Sequence, residues 1–309
     1  MEHLKTKSTY FPEDIPTEES FWDKINISYS TIAALREPHC PFQVFSTRIG
    51  KTFKDENPDM QRGLYFESQI LGATAKGDKV IDLPRTQKGE ITADHKRIDE
   101  QVENFKVISE KHNIKFLTKQ VRLEYKDKRW KYKLVGVIDA IGTITDDNFI
   151  SDWVSKQTLD IFKEHTDNQL DIAAVVEQMR IQGTPAIFDI KLTKNINSNG
   201  DWSWKHPYNM PSTQPAMLTK LMIENLQKKY PFYYLVFDYS PQKEYQIIRK
   251  DIAQIDIAEL ENDIRETEEK IDNYRLNGWG YLPEYYRCKD CPLLQTCPKA
   301  ITTKPILNI

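Results

Sequence analysis

Two hydrophobic periodicities alternate along the chain and predict an α/β fold. Apolar residues at helical spacing indicate helices, and short apolar or alternating runs indicate strands. The predicted helices cover about residues 30–40, 60–72, 91–112, 155–182, 213–229 and 251–276. The predicted strands cover about residues 114–125, 131–144, 186–192, 231–239 and 243–249. We therefore expect a mixed central sheet flanked by helices, with a polar helical insertion at about 150–182.

Composition narrows the class of protein. The 309 residues are 39% hydrophobic and carry a net charge of −3. This excludes a disordered chain and a protein that coats nucleic acid by bulk charge, although a local basic cleft stays compatible. No apolar stretch approaches the ~20 residues of a membrane-spanning helix. The N-terminus lacks the apolar middle of a secretory signal, so we expect a reducing, cytoplasmic location without membrane contact.

Four cysteines suggest one metal centre. Cys288, Cys291 and Cys297 form a C-x2-C-x5-C motif, and Cys40 lies far upstream. A reducing compartment disfavours disulfides, and the two-residue spacing favours joint coordination of a metal. Four thiolates could complete a zinc site or a [4Fe–4S] cluster; three loosely related thiols and a buried Cys40 are the alternative. A shared centre would tie both ends of the chain into a single domain, 1–309.

Charged residues inside two predicted strands suggest a catalytic site. Asp139 ends the apolar run LVGVIDAIG, and Asp189 and Lys191 lie in AIFDIKL. A carboxylate in such a strand is costly to bury unless it is paired or bound to metal. Asp189 and Lys191 should project to one face, because they are two residues apart. Each residue alone could be an edge ion pair or a turn residue. Together, and with Glu67 on an upstream helix, they favour a Mg²⁺ site.

These motifs together resemble the PD-(D/E)xK nuclease superfamily. Within it the chain is similar to RecB-like and CRISPR-associated-type exonucleases with a four-cysteine iron–sulfur cluster, and a phage-type member is favoured. The matching residues are Ser28, Ser30, Cys40, Pro41, Phe42, Gly63, Glu67, Gly136, Asp139, Asp189, Lys191, Gln214, Cys288, Cys291 and Cys297. Leu218 stands where the family's glutamine motif has tyrosine, so that motif is half present.

The resemblance implies a restriction-endonuclease-like core over 114–250, after an N-terminal helical part (28–75) and before a metal-stapled C-terminal segment (251–309). The implied catalytic residues are Glu67, Asp139, Asp189, Lys191 and Gln214. Mg²⁺ or Mn²⁺ would be held by Glu67, Asp139, Asp189 and the Ile190 carbonyl, with Lys191 positioning the attacking water. Cys40, Cys288, Cys291 and Cys297 would hold a [4Fe–4S] cluster, with zinc as the alternative.

The implied activity is that of a metal-dependent deoxyribonuclease, with exonuclease action on single strands or duplex ends favoured. Phage recombination, repair and DNA processing all fit, in a bacterial or phage-infected host cytoplasm. Residues expected to contact DNA are Lys128, Arg129, Lys131, Lys194, Trp204 and Lys205. No G-x-x-x-x-G-K-[ST] motif is present, so unwinding would need a helicase or recombination partner. The alternatives are a catalytically silent DNA-binding or assembly module and a zinc-stapled interaction domain.

Overall fold

The computed structural model describes residues 19–36, 40–51, 58–72, 83, 85, 88–164, 172–197, 203–207, 210–280, 288, 291, 293–294 and 297. The helices are α1 (Glu19–Trp22), α2 (Tyr29–Arg36), α3 (Pro41–Val44), α4 (Pro58–Leu71), α5 (Ala93–Lys111), α6 (Asp147–Glu164), α7 (Ile172–Gln182), α8 (Thr213–Leu226) and α9 (Gln254–Asn277). A π-helical turn, Phe45–Ile49, follows α3. The strands are β1 (Asn26–Ile27), β2 (Lys115–Tyr125), β3 (Lys133–Ile144), β4 (Thr184–Thr193), β5 (Phe232–Asp238) and β6 (Tyr245–Lys250).

The predicted architecture, a mixed central sheet flanked by helices, is confirmed. The five predicted strands correspond to β2–β6 within a few residues. The polar insertion begins earlier than expected, at Asp147, and consists of α6 and α7. The short elements α1, β1 and α3 have too few residues for a periodic signal. In the part of the chain that the structure describes, no helix combines the length and apolarity needed to cross a membrane.

One edge of strand β3 pairs with two different strands along its length. The sheet order is β1-β3-β4-β5-β6, and β2 pairs with β3 on its other edge. On the shared edge, β1 pairs with residues 133–134 of β3, and β4 pairs with residues 140–144. Within the described sheet, residues 135–139 of β3 pair with neither of these strands. The sheet therefore opens into a fork between β3 and β4.

Helices cover both faces of the sheet and produce two hydrophobic cores. One core contains Ile138, Ile187 and Val236 under α2, α8 and α9. The other contains Phe188 and Leu235 under α4 and α5. The alternation of positions 187 and 188, and of 235 and 236, follows the two-residue period of a strand. Because both faces are covered, β5 is buried along its whole length, as expected for a strand paired in parallel with β4.

Helix α8 lies unusually close to β3. A Cβ atom at Gly136 would lie 2.7 Å from Cδ2 of Leu218 and 2.8 Å from Cδ1 of Leu221. Leu218, the residue that departs from the family's glutamine motif, is therefore a buried core residue with 2% exposure. The close approach brings the N-terminal turn of α8 to the fork.

Candidate active site

Asp139 and Asp189 lie where β3 and β4 separate. The last paired residues before the fork are Ala140 and Phe188, and the two aspartates come next on their strands. Oδ2 of Asp139 accepts a hydrogen bond of 2.7 Å from the backbone N–H of Ile190. The carboxylate thus takes the place of a ladder carbonyl and is fixed in the opening of the sheet.

Asp189 is bonded to two side chains at the fork. It is 2% exposed and forms an ion pair with Lys191. The side-chain amide of Gln214, in the first turn of α8, donates a 2.8 Å hydrogen bond to Oδ1 of Asp189. The Lys191 side chain is 33% exposed, so its ammonium lies at the boundary between the core and solvent. The structure therefore brings Asp139, Asp189, Lys191 and Gln214 together.

Glu67 reaches the same fork from the opposite helix layer. It lies on α4, which packs against β4 on the other face of the sheet. Oε1 of Glu67 accepts a 2.5 Å hydrogen bond from the Gln120 side chain of β2. Gln120 has a left-handed backbone (φ +53°), which interrupts the regular strand at this point. Sequence reasoning missed Gln120, because nothing in an exposed, charged strand marks one glutamine as a partner.

The crowding of charge perturbs three of these groups. Burial raises the pKa of Asp139 well above its ordinary value, and the nearby Asp189 raises it further against the opposing effect of Lys191. Burial also raises the pKa of Glu67, against the hydrogen bond from Gln120. For Lys191, burial lowers the pKa, but the surrounding carboxylates, Asp189 first, more than offset this and raise it overall. Asp139 and Glu67 therefore hold their protons to a higher pH than free carboxyl groups do, while Lys191 holds its positive charge more firmly.

Each carboxylate of the fork has a protein partner, but Oδ2 of Asp189 is buried and makes only the ion pair with Lys191. Asp139 is bonded to an amide, Asp189 to Gln214 and Lys191, and Glu67 to Gln120. Among the described residues, no three His, Cys, Asp or Glu side chains form an arrangement ready to hold a metal ion. The oxygen donors are nevertheless those that Mg²⁺ and Mn²⁺ prefer, and their mutual repulsion favours a cation. The donor set therefore fits a divalent cation once Lys191 or Gln214 shifts.

The structure describes all four cysteines, and the other three influence the electrostatics of Cys291. Burial raises the pKa of Cys291, a Leu293 amide hydrogen bond lowers it, and Cys40, Cys297 and Cys288 raise it further. The amide of Cys291 donates to the carbonyl of Cys288 (3.1 Å), so this pair lies on one tight turn. All four are free thiols rather than disulfides. These described cysteines do not form an arrangement ready to hold a metal ion, but their thiol donors are of the type that binds zinc or an iron–sulfur cluster.

Two of the basic residues predicted to contact DNA are engaged by acidic partners. Arg129 pairs with Asp127 (2.7 Å) and with Glu261 of α9 (3.2 Å). Lys131 pairs with Asp272 of α9 at 2.6 Å. These bonds fasten the β2–β3 hairpin to α9. Lys128 is exposed on the same turn. DNA contact by the hairpin remains a prediction.

Two of the other predicted DNA contacts, Lys194 and Trp204, each line a cleft. Lys194 lines a cleft of about 450 Å³ together with Arg97 and Tyr239. Trp204 lines a second cleft, of about 510 Å³, which also includes Lys191 and Gln214. Lys205 is exposed next to Trp204. The second cleft connects the acidic fork to an aromatic surface, and we call it the aromatic cleft.

The aromatic cleft has walls from α2, β5 and the segment before α8. Its lining residues include Tyr29, Ile32, Ala33, Arg36, Trp204, Met210 and Tyr234. The rings of Trp204 and Tyr234 meet edge to face at 5.4 Å between centroids. Burial raises the pKa of Tyr234, and Asp189 and Tyr29 add to this effect. Arg36 donates a 2.9 Å hydrogen bond to the hydroxyl of Thr213 and forms an ion pair with Asp263.

A comparison with solved structures gives a likeness over nearly the whole chain. A crystal structure of a candidate exonuclease from Eubacterium rectale superposes on 99% of this chain and 97% of its own, with a TM-score of 0.57. The two chains share one fold. Their sequences are 17% identical, so the likeness concerns the fold alone. It extends over nearly the whole of both chains.

Other comparisons add no support for a family. No protein-family model matches the chain, and the search of curated proteins gave no match. A crystal structure of SSO0001 aligns over 90% of this chain and 88% of its own at 13% identity. Its TM-score of 0.34 is too low to carry an argument. The chemistry of the fork must therefore be argued from its own residues.

Proposed function

We propose that the chain is a metal-dependent DNA nuclease that hydrolyses phosphodiester bonds, most simply as an exonuclease. The observation that carries the proposal is the fork between β3 and β4, where Asp139, Asp189 and Lys191 converge with Gln214. Two carboxylates and an amine beside an open cleft are the groups that phosphodiester hydrolysis requires. The shared fold with a candidate exonuclease is consistent with this function.

The carboxylates would hold the cation. Asp139 and Asp189 would bind Mg²⁺ or Mn²⁺, with Glu67 as a further ligand directly or through water and the Ile190 carbonyl as another. A bound cation would neutralise phosphate charge and lower the pKa of a coordinated water. Gln214 would keep Asp189 oriented through its 2.8 Å bond, and Gln120 would do the same for Glu67.

Lys191 has two uses in this reaction. In the arrangement seen here, its ammonium compensates Asp189. With a cation bound, the ammonium would be released to orient the water and to stabilise charge on the phosphate oxygens. The water oxygen forms a bond to phosphorus and the bond from phosphorus to the leaving sugar oxygen breaks. One water proton goes to the leaving oxygen, and the products are a phosphate monoester and an alcohol.

For the cysteines we propose a [4Fe–4S] cluster, with zinc as the alternative. Cys40, Cys288, Cys291 and Cys297 supply four sulfur donors, which both metals accept. We further propose that the protein is a RecB-like, phage-type nuclease of recombination, repair or DNA processing, working with a helicase or recombination partner. The support for this finer assignment is the set of sequence motifs.

One observation favours a second function, a DNA-binding or assembly module without catalysis. Each carboxylate of the fork already accepts from a protein donor, and Lys191 pairs with Asp189, so a cation would compete with these groups. If Lys191 stays bound to Asp189 in solution, the site would bind DNA without cleaving it. Substituting Lys191 would then leave the protein as inactive as before.

The test uses protein purified without oxygen and end-labelled single- and double-stranded DNA, with Mg²⁺, Mn²⁺ or EDTA. We expect metal-dependent loss of label, abolished by Asp189→Asn and by Lys191→Met. Lys106→Met is the matched control, because Lys106 pairs with Glu103 on the exposed face of α5. No cleavage by protein with a full metal centre would favour the silent module. Full activity in Lys191→Met would refute the site assignment.

A further inference from the structure

We infer that the aromatic cleft binds an unpaired nucleobase of the strand whose phosphate lies at Asp189. This inference rests on the proposed function and deepens it, because it assigns the substrate as a strand with at least one unstacked base next to the scissile bond.

The cleft opens directly from the fork. Lys191 and Gln214, the two side chains bonded to Asp189, both line it. A phosphate placed at Asp189 would therefore have one of its attached nucleosides at the mouth of the cleft. The volume of about 510 Å³ lies within the ~300–1,000 Å³ typical of small-molecule sites. A paired base in a stacked duplex could not enter a cleft of this kind.

The side chains that line the cleft suit a nucleobase and should discriminate little among the four bases. Tyr234 is 3% exposed and closes the inner end, and the Trp204 ring meets it edge to face. Tyr29 of α2 also lines the cleft, together with the apolar side chains of Ile32 and Met210. Aromatic rings beside a basic groove bind every base through its π-face. We therefore expect stacking with all four bases rather than recognition of one.

Arg36 supplies a positive charge at a fixed position. Its side chain is 45% exposed. The hydrogen bonds that it makes to Thr213 and Asp263 both use Nη2. A guanidinium has five N–H donors, so this anchoring orients the group and leaves donors for a phosphate oxygen. Thr213 lies next to Gln214 in α8, which links the position of Arg36 to that of the fork.

The test compares binding of a fluorescent oligo(dT) with binding of the same backbone lacking its bases, in EDTA so that no cleavage occurs. We expect the wild-type protein to bind oligo(dT) about tenfold more tightly than the abasic strand, as stacking on one aromatic site allows. Trp204→Ala should remove this difference and Trp204→Phe should retain it. Trp153→Ala is the matched control, because Trp153 lies on α6, outside the lining of the cleft.

Equal affinity of the wild-type protein for both strands would overturn the inference. So would an equal loss for both strands in Trp204→Ala. If that variant does not fold, a fully paired hairpin is used to compete with oligo(dT) for the wild-type protein. A hairpin that competes as well as unlabelled oligo(dT) would also overturn the inference. A base preference without cleavage in Mg²⁺ would support the cleft and refute the nuclease. Cleavage without a base preference would support the nuclease and refute base binding in the cleft.

Discussion

The fork predicts that replacing Asp139 by asparagine stabilises the metal-free protein while it abolishes cleavage. The carboxylate is buried beside Asp189, and one amide hydrogen bond and Lys191 compensate it only in part. Asparagine keeps an oxygen that can accept the 2.7 Å bond from Ile190, and it removes the charge. Its amide nitrogen can also donate to a neighbouring carboxylate.

The sign and size of the effect follow from the raised pKa of Asp139. Above the ordinary value of 3.8, the unfolded chain loses its proton while the folded state retains it. Stability of the wild-type protein therefore falls as the pH rises through the window between that value and the pKa of the folded state. A single stabilising substitution commonly gains about 0.5–2 kcal/mol, and we expect a gain of this size here. At ~2–4 °C per kcal/mol for a domain of 150–250 residues, the variant should melt a few degrees higher at neutral pH.

Thermal melts in EDTA from pH 4 to 8 measure this difference. The gap between Asp139→Asn and wild type should be small near pH 4 and grow as the pH rises. Adding Mg²⁺ should raise the Tm of the wild-type protein and close the gap, because a ligand that binds only the folded state stabilises it. A wild-type protein that is the more stable of the two at neutral pH in EDTA would refute the reasoning.

A control separates the charge from the hydrogen bond. Asp139→Ala removes both, and it leaves the N–H of Ile190 without its acceptor in a buried position. Such an unpaired group costs about 1–3 kcal/mol, so this variant should be less stable than Asp139→Asn at every pH. Equal stability of the two variants would mean that the hydrogen bond to Ile190 contributes nothing.

Three further predictions concern other parts of the molecule. Gln214→Leu removes a hydrogen bond to the Asp189 carboxylate, which is worth about 1.5–3 kcal/mol. The variant should lower kcat by roughly ten- to a hundredfold in the DNA assay, and an unchanged kcat would contradict this. Gly142→Ala places a Cβ atom 2.0 Å from the carbonyl oxygen of Lys115 and should lower the unfolding free energy by about 1–3 kcal/mol in urea; an unchanged midpoint would contradict this. Cys291→Ser should reduce the iron or zinc content measured by elemental analysis, and full metal content would remove that residue from the ligand set.

The strand chemistry of the site could be predicted from the sequence. Asp189 and Lys191 stand two residues apart in an apolar run, so the strand period places them on one face. Gln214 could be placed in the first turn of a helix because the apolar pattern of α8 follows it. Both placements follow from local periodicity, and they agree with the structure because β4 and α8 are regular elements.

The partners of the site could not be predicted, because they depend on long-range packing. The bond between Gln120 and Glu67 needs an interruption of β2, which the exposed, charged sequence does not indicate. The ion pair between Arg129 and Glu261 joins residues far apart in the chain, so a basic hairpin looked available for DNA. The fork arises from the division of one β3 edge between β1 and β4, and β1 has only two residues.

The packing of α9 on the N-terminal helices also has a consequence for how the chain folds during synthesis. Lys270 donates a 2.7 Å hydrogen bond to the carbonyl of Leu35, and Arg275 forms an ion pair with Glu19. Just after α9, the carbonyl of Gly280 accepts a 3.2 Å hydrogen bond from the backbone N–H of Phe42. Helix α2, one wall of the aromatic cleft, therefore emerges from the ribosome long before its packing partner. Contacts of such sequence separation form late and slow the folding rate. Helices α1 and α2 thus reach their final packing only after α9 has been synthesised.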